Sequence, residues 1–155
     1  MEKKSISYGV YASAICRYAN RNYDLHLRDL PIGSGQQFFL LRIYENEGIS
    51  LYGLAQMGHF DKATVSRSVQ KLVEAGYIRV IPDENDRRCR HLYVTEAAMP
   101  IIQRLLCTRA EWNQALTSGF TEEECIQLEI LMQKMVQNAK SYIQAKEEKI
   151  CSKEY

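Results

Sequence analysis

The sequence predicts a mainly α fold with a small β-hairpin wing (α+β), a winged helix-turn-helix held between long N- and C-terminal helices. Three observations predict it. Residues 50–75 carry two helical patterns separated by a tight turn, residues 77–94 carry an arginine-rich hairpin pattern, and amphipathic helical patterns occupy the flanks on both sides.

The first pattern runs from about Ser5 to Leu30, where Val10, Ala14, Ile15, Tyr18 and Ala19 recur at three- and four-residue spacing and Tyr8, Tyr11, Tyr18 and Tyr23 make the segment aromatic. Residues 31–35 break it. Ser34 is placed to cap a second helix, Gln36 to Tyr44, whose core candidates are Phe38, Phe39, Leu41 and Ile43; residues 46–48 end it. A third helix starts with Ser50 as N-cap, carries an apolar stripe of Leu51, Leu54 and Ala55, and stops at Gly58. A short turn through His59 and Phe60 leads to Asp61. Two helices joined by a tight turn containing Gly are the helix-turn-helix signature.

Asp61 is a good N-cap because its carboxylate can accept from unpaired first-turn amides; the helix then continues to Ala75 and stops at Gly76. At about 100° per residue, Val65, Val69, Leu72 and Val73 fall on one side, while Ala63, Thr64, Ser66, Arg67, Gln70 and Lys71 fall on the other. The first face packs. On the second, Arg67 and Gln70 can each make paired hydrogen bonds to base edges, Thr64 and Ala63 can meet a thymine methyl, and Ser66, Lys62 and Lys71 suit phosphates. A polar arc is also what any solvated amphipathic helix presents.

The hairpin follows as two strands, Tyr77 to Ile81 and His91 to Val94, around a turn cluster at 82–86. Arg87, Arg88 and Arg90 lie at its tip and on the start of the return strand, where a guanidinium can enter a narrow, electronegative minor groove. Asp86 can brace one of them by a carboxylate pair. Thr95 is a candidate N-cap for a long helix to Leu116, with Pro100 demanding either a kink or a start nearer Ala98. A capping box at 121–124 opens the last helix, whose apolar stripe is Cys125, Leu128, Leu131, Met132, Met135 and Val136.

Two segments in this reading, DKATVSRSVQKLVEAGYI and DENDRRCRHLYVTEAA, resemble the MarR family of winged helix-turn-helix transcriptional regulators. The resemblance is close over Ile49 to Ala98 and continues over the flanks by helix pattern; it departs at Ala97-Ala98, where the family tends to have Lys-Gly. It implies one MarR-like domain over 1–155, with dimerisation helices at 1–33 and 100–155 and a DNA-binding lobe at 34–98. It also implies a homodimer that binds a pseudo-palindromic operator in double-stranded DNA, usually as a repressor. Family members commonly take small aromatic effectors in a crevice between dimer helices and lobe. Tyr11, Tyr18, Phe38, Phe39 and Tyr44 are the matching aromatics, with Arg17 or Arg42 as a carboxylate partner.

At 155 residues with a net charge of +1, the chain suits one domain and gives no bulk electrostatic adhesion to nucleic acid. Charge is instead uneven: residues 61–91 hold seven basic against five acidic side chains, whereas 121–155 hold five against seven. No run reaches the roughly 18 apolar residues of a membrane span, so the expectation is a soluble cytoplasmic protein.

Cys16, Cys89, Cys107, Cys125 and Cys151 are dispersed, with no CxxC pair, which suggests neither a disulfide framework nor a zinc ribbon. Some MarR relatives sense oxidants through a cysteine near N-terminal tyrosines, which would make the protein a thiol-based redox-responsive regulator. Registering the first helix on Leu30 puts that position near Gly9, so Cys16 reads as a buried structural thiol and Cys89, at the wing tip, as the most exposed. His26, His59 and His91 share no helix face that could hold a metal, and no cofactor is implied. Nucleophile elbow, phosphate loop and HExxH are all lacking, which argues against an enzyme. The competing class is a winged-helix protein-interaction module without DNA binding.

Overall fold

The computed structural model describes residues 7–84, 86 and 89–151. Helix α1 is Tyr8–Leu27 and α2 is Ser34–Glu45. A two-residue strand β1, Ile49–Ser50, leads into α3, Leu51–Gly58, and the turn that follows leads into α4, Lys62–Glu74. Strands β2, Ile78–Pro82, and β3, Arg90–Val94, form the hairpin. A 3₁₀ turn at Glu96–Ala98 precedes α5, Met99–Leu116, and the last helix is α6, Glu122–Cys151. None of these helices is long and apolar enough to cross a membrane, among the described residues.

The sheet has three strands in the order β1-β3-β2, all antiparallel, with Val80 opposite Leu92 and Ile49 opposite Leu92 on its other edge. The sequence reading gave two strands. β1 is too short to show a period-2 pattern, and its pairing partner is more than 40 residues away.

The chain divides into two compact units, Met1–Asn113 and Gln114–Tyr155. In the first, Phe39, Leu40, Leu41 and Ile43 of α2 meet Leu54, Val65, Val69 and Leu72 of the two following helices. Ile78 and Leu92 of the sheet, and Ile101, Ile102 and Leu105 of α5, complete the core. From α1 only Tyr23 and Leu27 are buried; Tyr11 and Tyr18 are 65% and 64% exposed.

Several local signals work as the sequence indicates. Ser50 Oγ accepts from Gly53 N at 3.0 Å. Gly76 closes α4 at φ +75°, a conformation L side chains resist. α5 begins at Met99, so Pro100 sits in a first turn that does not need its missing N–H.

Others are corrected. Ser34 does not cap α2; Gly33 holds the N-cap position, its N–H donating to Gln36 Oε1, while Ser34 N donates to Asp24 Oδ1 at 2.7 Å, so an α1 carboxylate caps α2. Thr95 uses its hydroxyl on Gly76 O at 2.6 Å, not on the helix after it. Val73 is 41% exposed and Ser68 is buried in its place, because the buried arc of α4 is centred on Val65 and Leu72; the Ser68 hydroxyl is satisfied by Gly35 O at 3.3 Å. Gly58 is the last residue of α3, and the left-handed turn residue is His59 at φ +54°. Glycine is required at 58 for another reason: a Cβ there would lie 2.5 Å from the Phe60 ring and 2.7 Å from the Phe38 ring. Those rings and Phe39 form an aromatic cluster with centroids 5.0–5.4 Å apart.

In the second unit, Gly119 turns the chain at φ +83° and the capping box closes both ways: Thr121 N donates to Glu124 Oε2 at 2.9 Å and Glu124 N to Thr121 Oγ1 at 3.2 Å. α6 then runs with no buried residue from Glu122 to Ile150, its apolar stripe included.

Candidate nucleic-acid interface

α4 is anchored at its start by Asp61. Its carboxylate accepts from Thr64 N at 2.9 Å and from the Thr64 hydroxyl at 2.7 Å, and these bonds hold its pKa below the ordinary carboxylate value. With Val65, Ser68, Val69 and Leu72 buried, the rotation of the helix is fixed, so the opposite arc points away from the core. Lys62, Ala63, Ser66, Arg67, Gln70 and Lys71 are exposed there and Thr64 is half-buried. The side chains of Lys62, Arg67 and Lys71 make no hydrogen bond or ion pair among the described residues, so their charged ends are available to a partner. Gln70 is less free, since its Nε2 donates to Glu74 Oε1 at 2.9 Å, one turn on. Reading a base with Gln70 therefore requires that internal bond to open.

In the wing, Asp86 is exposed; its N–H donates to Asp83 Oδ1 at 2.9 Å and its carbonyl accepts from Cys89 N at 2.8 Å. Arg90 is exposed at the start of β3, opposite Pro82. Arg87 and Arg88, and so the bracing of an arginine by Asp86, lie outside the described residues.

A cavity of about 400 Å³ opens between the first turns of α3 and α4 and the base of the wing. Leu51, Tyr52, Ala55 and Val65 form its walls, and Lys62, Ser66, Asp86, Cys89 and Arg90 surround them. Four expected DNA-contact residues thus border one concavity. Tyr52, 74% exposed, joins them; the only signal for it in the sequence is that the Leu51, Leu54, Ala55 stripe leaves it on the outward face of α3.

The MarR family model matches residues 34–90. Over 130 residues, 84% of either chain, the protein is 32% identical to the HTH-type transcriptional regulator YybA of Bacillus subtilis (strain 168). The chain belongs to the MarR family. This is a family of helix-turn-helix transcription regulators and not of enzymes. Among MarR structures, the fold is similar to the MarR protein from Peptoclostridium difficile DA00132, with a TM-score of 0.83 and 29% identity over 91% of this chain and 94% of that one. It is also similar to a MarR family transcriptional regulator from Listeria monocytogenes complexed with 26mer DNA, with a TM-score of 0.82 and 25% identity over 86% and 89% of the two chains.

The residues expected to meet a MarR effector are distributed differently from those of the cavity. Tyr11, Arg17 and Tyr18 lie exposed on α1. Phe38 is in the aromatic cluster, with the Arg42 guanidinium 5.4 Å from its centroid. Arg42 pairs with Glu45 at 2.8 Å, Glu45 also pairs with Arg109 at 2.8 Å, and the buried Arg42 Nε has no hydrogen-bond partner among the described residues. Burial raises the Tyr23 phenol pKa, and Arg109 and Arg42 pull it partly back. Among the cysteines, Cys16 is exposed and not a buried structural thiol; Cys107 is exposed too, whereas Cys89 and Cys125 are half-buried and Cys151's side chain lies outside the described residues. Cys89 falls short of the exposure expected of a wing tip because the hairpin neck folds it against the cavity. No group of three or more His, Cys, Asp or Glu suited to a metal occurs among the described residues.

Proposed function

We propose that the protein works in the cytoplasm as a homodimeric, sequence-specific repressor on a pseudo-palindromic operator. The observation that carries this reading is the outward arc of α4. Its rotation is locked by buried Val65, Val69 and Leu72, and it offers Arg67, Ser66 and Lys71 uncommitted. Arg67 is the first choice for a base edge, Gln70 the second at the cost of its bond to Glu74, and Lys62, Thr64, Ser66 and Lys71 serve phosphates or thymine methyls. Arg87, Arg88 and Arg90 supply the minor-groove contact of the wing. The Listeria monocytogenes relative with its 26mer DNA favours the same use of this fold.

Dimerisation is supported by the apolar side chains that each unit leaves to solvent: Tyr8, Tyr11, Ile15 and Tyr18 on α1, and Leu131, Met132, Met135 and Val136 on α6. A symmetric pair is the commonest way to bury such faces, and it sets two α4 helices about one helical turn, ~10 base pairs, apart. Release by a small aromatic ligand would use Tyr11, Arg17, Tyr18, Phe38 and Arg42, the last having a buried Nε in need of an acceptor.

Selection of sites from a random duplex pool at about physiological salt tests the reading, because specific contacts must then outcompete bulk charge. An enriched inverted repeat is the expected result. A folded dimer that enriches nothing would point to protein contacts as the use of the winged helix.

A further inference from the structure

The wing is tied to the frame by one imidazole whose two ring nitrogens both face acceptors. His91 Nδ1 lies 2.7 Å from Gly48 O, in the turn before β1, and Nε2 lies 2.9 Å from Asp83 Oδ2, where β2 gives way to the hairpin tip. A neutral imidazole has a single N–H. It could satisfy one of these oxygens and would set its lone pair against the other. Both contacts are attractive only in the imidazolium, which donates twice.

We infer that His91 is a positioning residue for the wing: in its doubly protonated form it clamps the hairpin to the α2–β1 turn, and its deprotonation loosens the wing and weakens DNA binding. The inference rests on the DNA-reading function proposed above.

The chain of contacts extends to the tip on one side and into the frame on the other. Asp83 uses its second oxygen, Oδ1, to accept from Asp86 N at 2.9 Å, so a single carboxylate joins the clamp to the tip turn. On the frame side, Gly48 N donates to Leu92 O at 2.9 Å, and its φ of +81° is the left-handed conformation that favours glycine. His91 is half-buried on the sheet face opposite Leu92, with Ile81 and Ser50 as its cross-strand neighbours.

Among the described residues, the ionisable groups on the surrounding elements are Arg79 on β2, Glu47 in the turn before β1, and Asp83, Glu84, Asp86 and Cys89 in the hairpin, with Arg90 and Tyr93 on β3 itself. Arg79 is engaged over the Tyr93 ring at 5.6 Å. Asp83 is the acid that touches the ring, and its hydrogen bond, then that of Gly48, raises the His91 pKa above the ordinary histidine value, against a smaller opposing effect of desolvation. For a group whose pKa is raised in the clamped state, the stabilisation is complete at low pH and is lost as pH rises through that raised value. DNA affinity should therefore fall on the alkaline side of the normal histidine range.

The test has two arms on the full-length protein. Imidazole ¹⁵N NMR should show His91 protonated on both nitrogens with a titration midpoint above the ordinary histidine value, moving down in Asp83→Asn. Affinity for a selected duplex should fall by about threefold to tenfold on the alkaline side, the range for losing one half-exposed charge-assisted hydrogen bond. That fall should vanish in His91→Gln and shift to lower pH in Asp83→Asn. A neutral His91 at pH 6, or a pH dependence unchanged in His91→Gln, would overturn the inference. Failure to bind any duplex at every pH would instead overturn the DNA reading, with the clamp itself still decided by the NMR titration.

Discussion

α4 and α6 are both amphipathic, and the chain treats them in opposite ways. α4 spans 13 residues and buries four of them, so its apolar arc is satisfied within its own unit and its polar arc is presented. α6 spans 30 residues and buries none between Glu122 and Ile150, so its apolar arc is what it presents. Burial of apolar area is the main stabilising term in folding and in association, so an unburied stripe several turns long is a surface for another chain. A helix satisfied at home can offer specific polar contacts; a helix left unsatisfied offers adhesion. The proposed regulator needs one of each.

The largest effect should come from breaking α6. Leu131→Asp with Met135→Asp places two charges in the stripe, and sedimentation should find the dimer dissociation constant raised by about 100-fold or more, because an uncompensated charge in an interface is strongly unfavourable. An unchanged sedimentation coefficient would mean that this stripe faces solvent in the working protein. In the other region, Leu72→Ala removes a side chain with no exposed surface and should cost about 2–5 kcal/mol in denaturant unfolding at fixed protein concentration. The same Leu→Ala change at Leu131 should act mainly through a concentration-dependent midpoint, which sharpens the contrast.

Gly58→Ala should come next, at about 1–3 kcal/mol of overpacking against Phe60 and Phe38, read as a lowered thermal midpoint. The smallest effect belongs to the α4 cap. Because hydrogen bonds from Thr64 lower the Asp61 pKa in the folded protein, its contribution is fully present above the unfolded value and is lost as pH falls through the folded one. Asp61→Asn should flatten that acid limb of the stability profile and leave stability near neutral pH little changed.

What the sequence made legible was local. Asp61, Gly76 and the box at 121–124 act within one helical turn of themselves, and period alone put Arg67, Lys71 and Ser66 on one exposed arc. Relations that close over distance were not legible. Asp24 caps α2 from ten residues away, Ser68 reaches Gly35, and β1 is defined by its pairing with β3. The cavity at the candidate interface belongs to the same class, since Tyr52, Lys62 and Cys89 meet only after α3, α4 and the hairpin have packed. The Gln70–Glu74 bond is a different kind of miss. Its spacing of four on a helix is visible in the sequence, but spacing alone does not decide between an internal partner and a base.

The most direct measurement is the affinity of Arg67→Ala for a duplex recovered from random-pool selection, set against its affinity for a scrambled duplex of equal length and salt. If α4 reads base edges, the variant should lose roughly 1–3 kcal/mol on the selected duplex and little on the scrambled one, with an unchanged thermal midpoint. Equal losses on both duplexes, or none on either, would contradict the assignment of this arc as the reading surface.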